Sequence, residues 1–439
     1  MEKLVIEGGV PLRGEITLSG AKNSGFKLMI ATLLSEEQSQ IDGFSKIGDI
    51  AITKKIIESL GGKAEEKNHQ LAISTNTLSR FEIPHELGSV SRACTLFVGP
   101  LLHRFGKAVL PIPGGDKIGT RPIDRHLAGL EALGAKIKTK DGLFKVSAPQ
   151  GLRGARFRFT KNTHTGTDTM LMAAAGATGK TILENAAEEP EVSDLITFLN
   201  KMGAKIRRTK KRRIEIEGTN HFIGVNHEVM PDRNEAVTFG IAALATGGNV
   251  LVRKAKSCSL SAFLRKVRQA GGNYQEEGSG LRFWRRGKLK AIKVVTRIYP
   301  GFMTDWQALW TTLMTQAEGK SMVHETIFEN RFGFVPQLVA MGAKIELFNP
   351  GVSDPEKFYN FNWRDNKPEY FHAARIFGPT PLKGGKFTIA DIRAGATLIL
   401  AALIAKGRTE LLGIEHVDRG YENLDGRLRG LGARIRRVK

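Results

Sequence analysis

The chain has 439 residues, 41% hydrophobic and 7% aromatic, with 66 Lys and Arg against 44 Asp and Glu for a formal charge of +22. That length exceeds one ordinary core and points to two or three domains, and the composition excludes a disordered chain. The longest apolar run, 394–405 between Arg393 and Lys406, is too short to cross a bilayer, so neither a membrane segment nor a membrane partner is expected.

In chain order, MEKLVIEGGV opens on strand-like alternation without a signal-peptide pattern, so no export is expected. Lys22-Asn23 follows Leu18-Ser19-Gly20-Ala21, where a strand gives way to a helix and backbone donors plus an ammonium can meet an anion. Arg92 starts an apolar helix in SVSRACTLFVGP. Cys94 in that run reads as a core thiol, Cys258 stands far from it in a different setting, and a reducing cytoplasm fits. PIPGGDKIGTRPIDRHL (111–127) combines prolines and glycines that break regular structure, and reads as a loop feeding a helix that Arg121-Pro122 starts. Asp116 and Lys117 sit at its tip, Arg121 at its base and Asp124 in the first helical turn. Further along, Asp232, Asp305 and Asp391 stand where helix caps belong. Arg92, Arg331 and Arg393 read as arginines at helix starts, where their charge opposes the helix dipole and argues for a polyanionic ligand.

The basic excess is densest at Lys205–Arg213, Arg285–Lys290 and Arg434–Lys439. Each run lies by a glycine turn and alternates like a hairpin strand. Solvated strand faces account for them, and nucleic acid is not expected, because no aromatic interleaving accompanies them.

One punctuation recurs six times: Leu60-Gly61-Gly62, Leu133-Gly134-Ala135, Met202-Gly203-Ala204, Ala270-Gly271-Gly272, Met341-Gly342-Ala343 and Leu431-Gly432-Ala433. A spacing of roughly 70 residues marks an internal repeat. Apolar helices in 173–186, 242–255, 313–330 and 400–416 each read as stopping at a glycine before a strand. Each repeat is an α/β unit too small to bury its own faces, so six suggest two globules of three. The boundary is expected within 218–232 and an early crossing near 19–22, with a ligand cleft between the globules.

These residues together resemble the UDP-N-acetylglucosamine enolpyruvyl transferase (1-carboxyvinyltransferase) family over essentially the whole chain. The carrying motifs are SGAKNSGFKLMIATLL (19–34), PGGDKIGTRPIDRHLAGLEALGA (113–135), THTGTDTMLMAAA (163–175), PDRNEAVTF (231–239), YPGFMTDWQALWTTL (299–313), ETIFENRF (325–332), DIRAGATLILAALIA (391–405) and HVDRGYENLDGRLRGLGARI (416–435). The resemblance implies an inside-out α/β barrel of six repeated units in two pseudo-three-fold globules. One would be 22–230 with the catalytic loop 111–122, the other 1–21 plus 231–439, with the active site in the cleft between them.

The implied reaction moves the enolpyruvyl group of phosphoenolpyruvate to the 3′-hydroxyl of UDP-N-acetylglucosamine by addition and elimination, releasing phosphate, the first committed step of peptidoglycan synthesis. It implies that Lys22, Arg121 and Arg419, with Arg393 nearby, hold phosphoenolpyruvate. Asn23 would hydrogen-bond the reacting centre, Asp305 would act as general base and Asp116 as proton donor. Arg92, the segment Arg121, Pro122, Ile123, Asp124 and Arg125, and the segment Asn162, Thr163, His164, Thr165 and Gly166 would contact the nucleotide sugar. Asp305 and Ile327 would lie at its acetamido end, with Arg331 among the substrate contacts. The same resemblance implies a cytoplasmic enzyme with neither metal nor organic cofactor; it leaves the oligomeric state open.

Two positions depart from the family. Asp116 stands where a cysteine is common, which implies resistance to fosfomycin, an epoxide that alkylates that cysteine. A carboxyl with a reference pKa near 4 is also mostly ionised at neutral pH, so acid catalysis by Asp116 needs an opposing effect. Asn162 stands where some members have a lysine, which weakens one nucleotide contact. The alternatives are the sister enzyme acting on shikimate 3-phosphate and a non-catalytic paralogue that binds a polyanion.

Overall fold

The structure, a computed structural model, describes residues 2–114 and 118–438; Asp116 and Lys117 lie outside the described residues, as does the side chain of Arg393. The chain divides into two compact units. One comprises Gly20–Gly115 and Pro122–Met230, the other Met1–Ser19 and Pro231–Lys439 with residues 118–121.

In the unit built on residues 20–230, helices Lys22–Ala31, Val98–Phe105 and His164–Ala175 form the middle. A helix that is apolar on every side has no face to give to water, and every residue from Gly166 to Ala175 is buried. Sheets lie outside these helices. One runs Asn226–Glu228, Ser39–Asp42, Gln70–Ser74, Lys63–Lys67; a second runs Lys107–Pro111, Leu143–Ser147, Lys136–Lys140; the third runs Lys205–Lys210, Arg213–Glu217, Lys180–Glu184, Arg156–Arg158. Strands such as Gln70–Ser74 alternate buried and open residues, so one face of the sheet packs on the helices and the other meets solvent.

The other unit repeats the plan. Helices Arg233–Thr246, Gln307–Met314 and Ile392–Ile404 sit inside three sheets. The N-terminal strand Lys3–Glu7 pairs antiparallel with both Arg408–Leu412 and Arg434–Val438, so the chain's first and last strands share a sheet. Three sheets around three buried helices, twice over, is the inside-out α/β arrangement of six repeated units.

The six glycine turns explain how each repeat reverses. Gly61, Gly134, Gly203, Gly271, Gly342 and Gly432 all adopt positive φ, from +81° to +113°. In each, the amide after the glycine returns to the last turn of the preceding helix, as in Ala135 N to Leu130 O at 3.0 Å and Ala433 N to Leu428 O at 3.1 Å. This is the glycine-terminated helix end that satisfies otherwise orphaned carbonyls.

Four local expectations need correction. The helix before 319 stops at Met314, and Gly319 lies inside strand Ala317–His324, because the chain turns without it. Pro122 precedes the first helical residue, Asp124, by two positions, with Arg121 at φ +48° making the turn. Within 285–290 only Leu289–Lys290 is strand; Arg285 instead donates from Nε to Leu244 O at 2.7 Å, closing the end of a core helix. Arg331 lies in irregular chain before helix Val335–Ala340 rather than at a helix start. Among the described residues no helix is long and apolar enough to cross a membrane.

Candidate active site

In the unit with residues 20–230, side-chain contacts join the three helices that carry or follow predicted segments, Lys27 to His164 and His126 to Thr165. Lys22 is the first residue of helix Lys22–Ala31, with Asn23 next to it, and its Nζ lies 3.0 Å from Asp49 Oδ2. Thr163 caps helix His164–Ala175 by accepting from Gly166 N at 3.2 Å. Gly166 is required there, because a Cβ would approach the Thr163 methyl to 2.4 Å. Asn162 is buried and donates from Nδ2 to Asn185 O at 2.8 Å, which fixes the chain entering that cap.

His126 joins the two nucleotide-binding candidates. Its Nε2 lies 2.9 Å from Thr165 Oγ1, tying helix Asp124–Ala132 to helix His164–Ala175. Burial, then the charges of Arg92 and Arg125, push its pKa down to about 3, so it is a neutral tether. Arg92 opens the 3₁₀ turn Arg92–Phe97 after a cap by Ser91, and burial lowers its own pKa.

Sequence reasoning missed the pair beneath His164. Lys27 and Asp168 are buried, 1% and 0% exposed by side chain, with Nζ 2.6 Å from Oδ2. Lys27 Nζ also lies 2.7 Å from His164 Nε2. An ammonium has donors only, so Nε2 accepts and the neutral ring carries its proton on Nδ1. Burial raises the Asp168 pKa to about 6 against the opposing pull of Lys27. The signal was available: single charges inside SGFKLMI and TGTDTMLM need partners when their helices are buried.

Asp305 belongs to the other unit. Asp305 lies in the 3₁₀ turn Thr304–Trp306, whose cap position is Met303, so it is not the cap its position suggested. Its Oδ1 accepts instead from Arg331 Nη2 at 3.0 Å. Arg331 thus has this carboxylate as a negative partner, and it stands at no helix start where a dipole would oppose it. Asp232 and Asp391 do cap, accepting from Asn234 N at 2.6 Å and Ala394 N at 2.9 Å.

Glu325, also missed, holds the region together. It is fully buried, accepts from Thr304 Oγ1 at 2.9 Å and from Ile327 N at 2.8 Å, and burial raises its pKa. It thereby links the residue before Asp305 to Ile327. Glu329 accepts from Thr120 N, and a Cβ on Gly119 would meet its carboxylate at 2.4 Å. Arg121 places its guanidinium 5.8 Å from the Phe328 ring centre. Residues 118–121 are thus fastened to 328–330 within this unit. Arg419 is half-buried just past helix Glu415–Asp418.

Comparison with known proteins places the chain in a family. The family profile described as EPSP synthase (3-phosphoshikimate 1-carboxyvinyltransferase) matches residues 6–428. A UDP-N-acetylglucosamine 1-carboxyvinyltransferase of Trichlorobacter lovleyi is 41% identical over 100% of this chain and 99% of its own. The protein of that name from Geotalea uraniireducens is 42% identical over 100% of both. The crystal structure of the enolpyruvyl transferase NikO from Streptomyces tendae shares the fold, with a TM-score of 0.86 at 24% identity over 100% of this chain and 99% of that one. Within the wider EPSP synthase family, the chain belongs to the UDP-N-acetylglucosamine 1-carboxyvinyltransferases.

Proposed function

We propose that the chain transfers the enolpyruvyl group of phosphoenolpyruvate to the 3′-hydroxyl of UDP-N-acetylglucosamine, releasing phosphate, as the first committed step of peptidoglycan synthesis in the cytoplasm. Full-length identity of 41% to 42% with enzymes of that name supports the substrate pair over shikimate 3-phosphate. On the structural side the reading is carried by the Asp305 carboxylate, oriented by Arg331 at 3.0 Å.

The chemistry follows from these groups. Asp305 takes the proton of the sugar hydroxyl as its oxygen bonds to C2 of phosphoenolpyruvate, while the methylene carbon gains a proton from Asp116, whose carboxyl the negative charge of bound substrate keeps protonated. Elimination then breaks the C2–O bond to phosphate and returns that methyl to a methylene by loss of a proton. Lys22, Arg121, Arg393 and Arg419 neutralise the phosphate and carboxylate charges, and Asn23 holds the reacting centre. The first turn of helix His164–Ala175 has backbone N–H groups suited to the nucleotide's diphosphate, with Arg92, Asp124 and Arg125 as further contacts. Ile327 meets the acetamido group.

Mass spectrometry of UDP-N-acetylglucosamine incubated with phosphoenolpyruvate and the protein tests this. The expected product is the nucleotide sugar bearing one carboxyvinyl ether; an unchanged nucleotide sugar with folded protein overturns it.

A further inference from the structure

The charge of +22 is not spread evenly over the six sheets. The densest run, on Lys205–Lys210 and Arg213–Glu217, is offset locally. Glu215 lies within 2.9 Å of Lys180, 3.2 Å of Arg207 and 3.1 Å of Arg213, and Glu217 lies 3.9 Å from Lys205. The sheet holding Lys3–Glu7 pairs Lys3 and Arg408 with Glu410, and that holding Gly280–Trp284 pairs Arg282 with Glu277.

The sheet Lys107–Pro111, Leu143–Ser147, Lys136–Lys140 differs from the other five. Its strands, KAVLP, LFKVS and KIKTK, contain no Asp or Glu. Cross-strand register puts Lys107, Ser147 and Lys136 in one row, Val109, Lys145 and Lys138 in the next, and Pro111, Leu143 and Lys140 in the third. Directly paired residues share a face, so five exposed lysines stand on one side while Ala108, Val146, Leu110 and Phe144 pack inward. Among the described residues none of the five has an ion-pair partner. The acids beside them are Glu82, bridged to Val109 at the sheet's edge, and Asp141, in the turn between Lys140 and Leu143. Lys138 lies directly opposite Lys145, a like-charge pairing that destabilises a sheet.

We propose that this face docks on an anionic phospholipid surface. Lysine is depleted from the cores of protein interfaces, which favour aromatics and arginine. Single-stranded nucleic acid calls for aromatic stacking platforms, and the neighbouring ring, Phe81, is covered by Lys107 Nζ at 4.1 Å. A flat array of lysines suits a plane of headgroups. Beside it, Gly114 packs on the Ser89–Val90 backbone, and Val90 and Ile112 stay 43% and 54% exposed as apolar side chains at the rim. The short apolar runs argue against spanning and say nothing of surface attachment, so the proposal goes beyond the expectation of no membrane partner.

Co-sedimentation of the full chain with phosphatidylcholine vesicles, with and without phosphatidylglycerol, tests the proposal. Binding is expected only to the anionic vesicles. Replacing three lysines, Lys136→Gln, Lys138→Gln and Lys145→Gln, is expected to weaken it about a hundredfold, at roughly fivefold per lysine near a charged surface. A control with the same charge change, Lys205→Gln, Lys210→Gln and Lys211→Gln, should lose less than tenfold by the same reckoning. Both variants should keep wild-type phosphate release. No binding to anionic vesicles, equal losses in the two variants, or tighter binding to RNA than to vesicles at the same ionic strength would each overturn the assignment.

Discussion

Arg331 Nη2 donates to Asp305 Oδ1 at 3.0 Å, and the Arg331 side chain is 4% exposed against 22% for Asp305. A buried guanidinium thus holds a carboxylate that stays partly exposed. Thr304, next to Asp305, is anchored by Glu325, so the position is set by side chains rather than by chain ends.

From this it follows that Asp305→Asn, nearly the same shape without basicity, should lower kcat by about 10²- to 10⁴-fold, the usual size of general-base assistance. The Kd for UDP-N-acetylglucosamine, measured by calorimetry, should change far less. A variant that keeps its kcat would remove Asp305 from the chemistry.

Lys27 and Asp168 form a buried pair with no access to water, so breaking one partner leaves the other charge uncompensated. Lys27→Met should destabilise the fold by about 3–5 kcal/mol in urea titration, and Lys27→Met with Asp168→Leu should recover most of that loss. Nitrogen NMR of histidine-labelled protein should show His164 with its proton on Nδ1. A proton on Nε2 would contradict the ammonium contact.

Glu215 gives a pH test. Hydrogen bonding by Lys180, followed by other nearby cations, holds its carboxyl down to about 2 from the ordinary 4.5. A depressed carboxyl stabilises the fold above its unfolded pKa, and that stabilisation is lost as pH falls through the folded one. The Tm difference between wild type and Glu215→Gln should be constant above about pH 5 and shrink progressively toward pH 2. A difference unchanged at pH 3 would refute the linkage.

Asp116 stands where the family resemblance implies a loop cysteine. Wild-type protein incubated with fosfomycin should show no adduct on the peptide spanning 111–121 by mass spectrometry, whereas Asp116→Cys should become labelled and inhibited. Labelling of the wild-type loop would defeat the resistance reading.

Much of the architecture was legible because glycine at positive φ leaves a sequence mark: the six Gly turns announced six repeats. Asp232 and Asp391 were readable for a similar reason, since a cap is local. Arg331 was misread because its partner, Asp305, is 26 residues away, and a local dipole argument cannot see it. Glu325 and Glu329 were passed over within ETIFENRF because their partners, Thr304 and Thr120, come from distant segments. The acid-free lysine sheet was overshadowed by denser basic runs, since cross-strand neighbours decide which charges are offset.

The most direct test of the account is phosphate release from phosphoenolpyruvate, followed with UDP-N-acetylglucosamine or shikimate 3-phosphate as acceptor, for wild type and Asp305→Asn. The account predicts release with the nucleotide sugar only, and its near loss in the variant. Release with shikimate 3-phosphate, or equal release by both proteins, would contradict it.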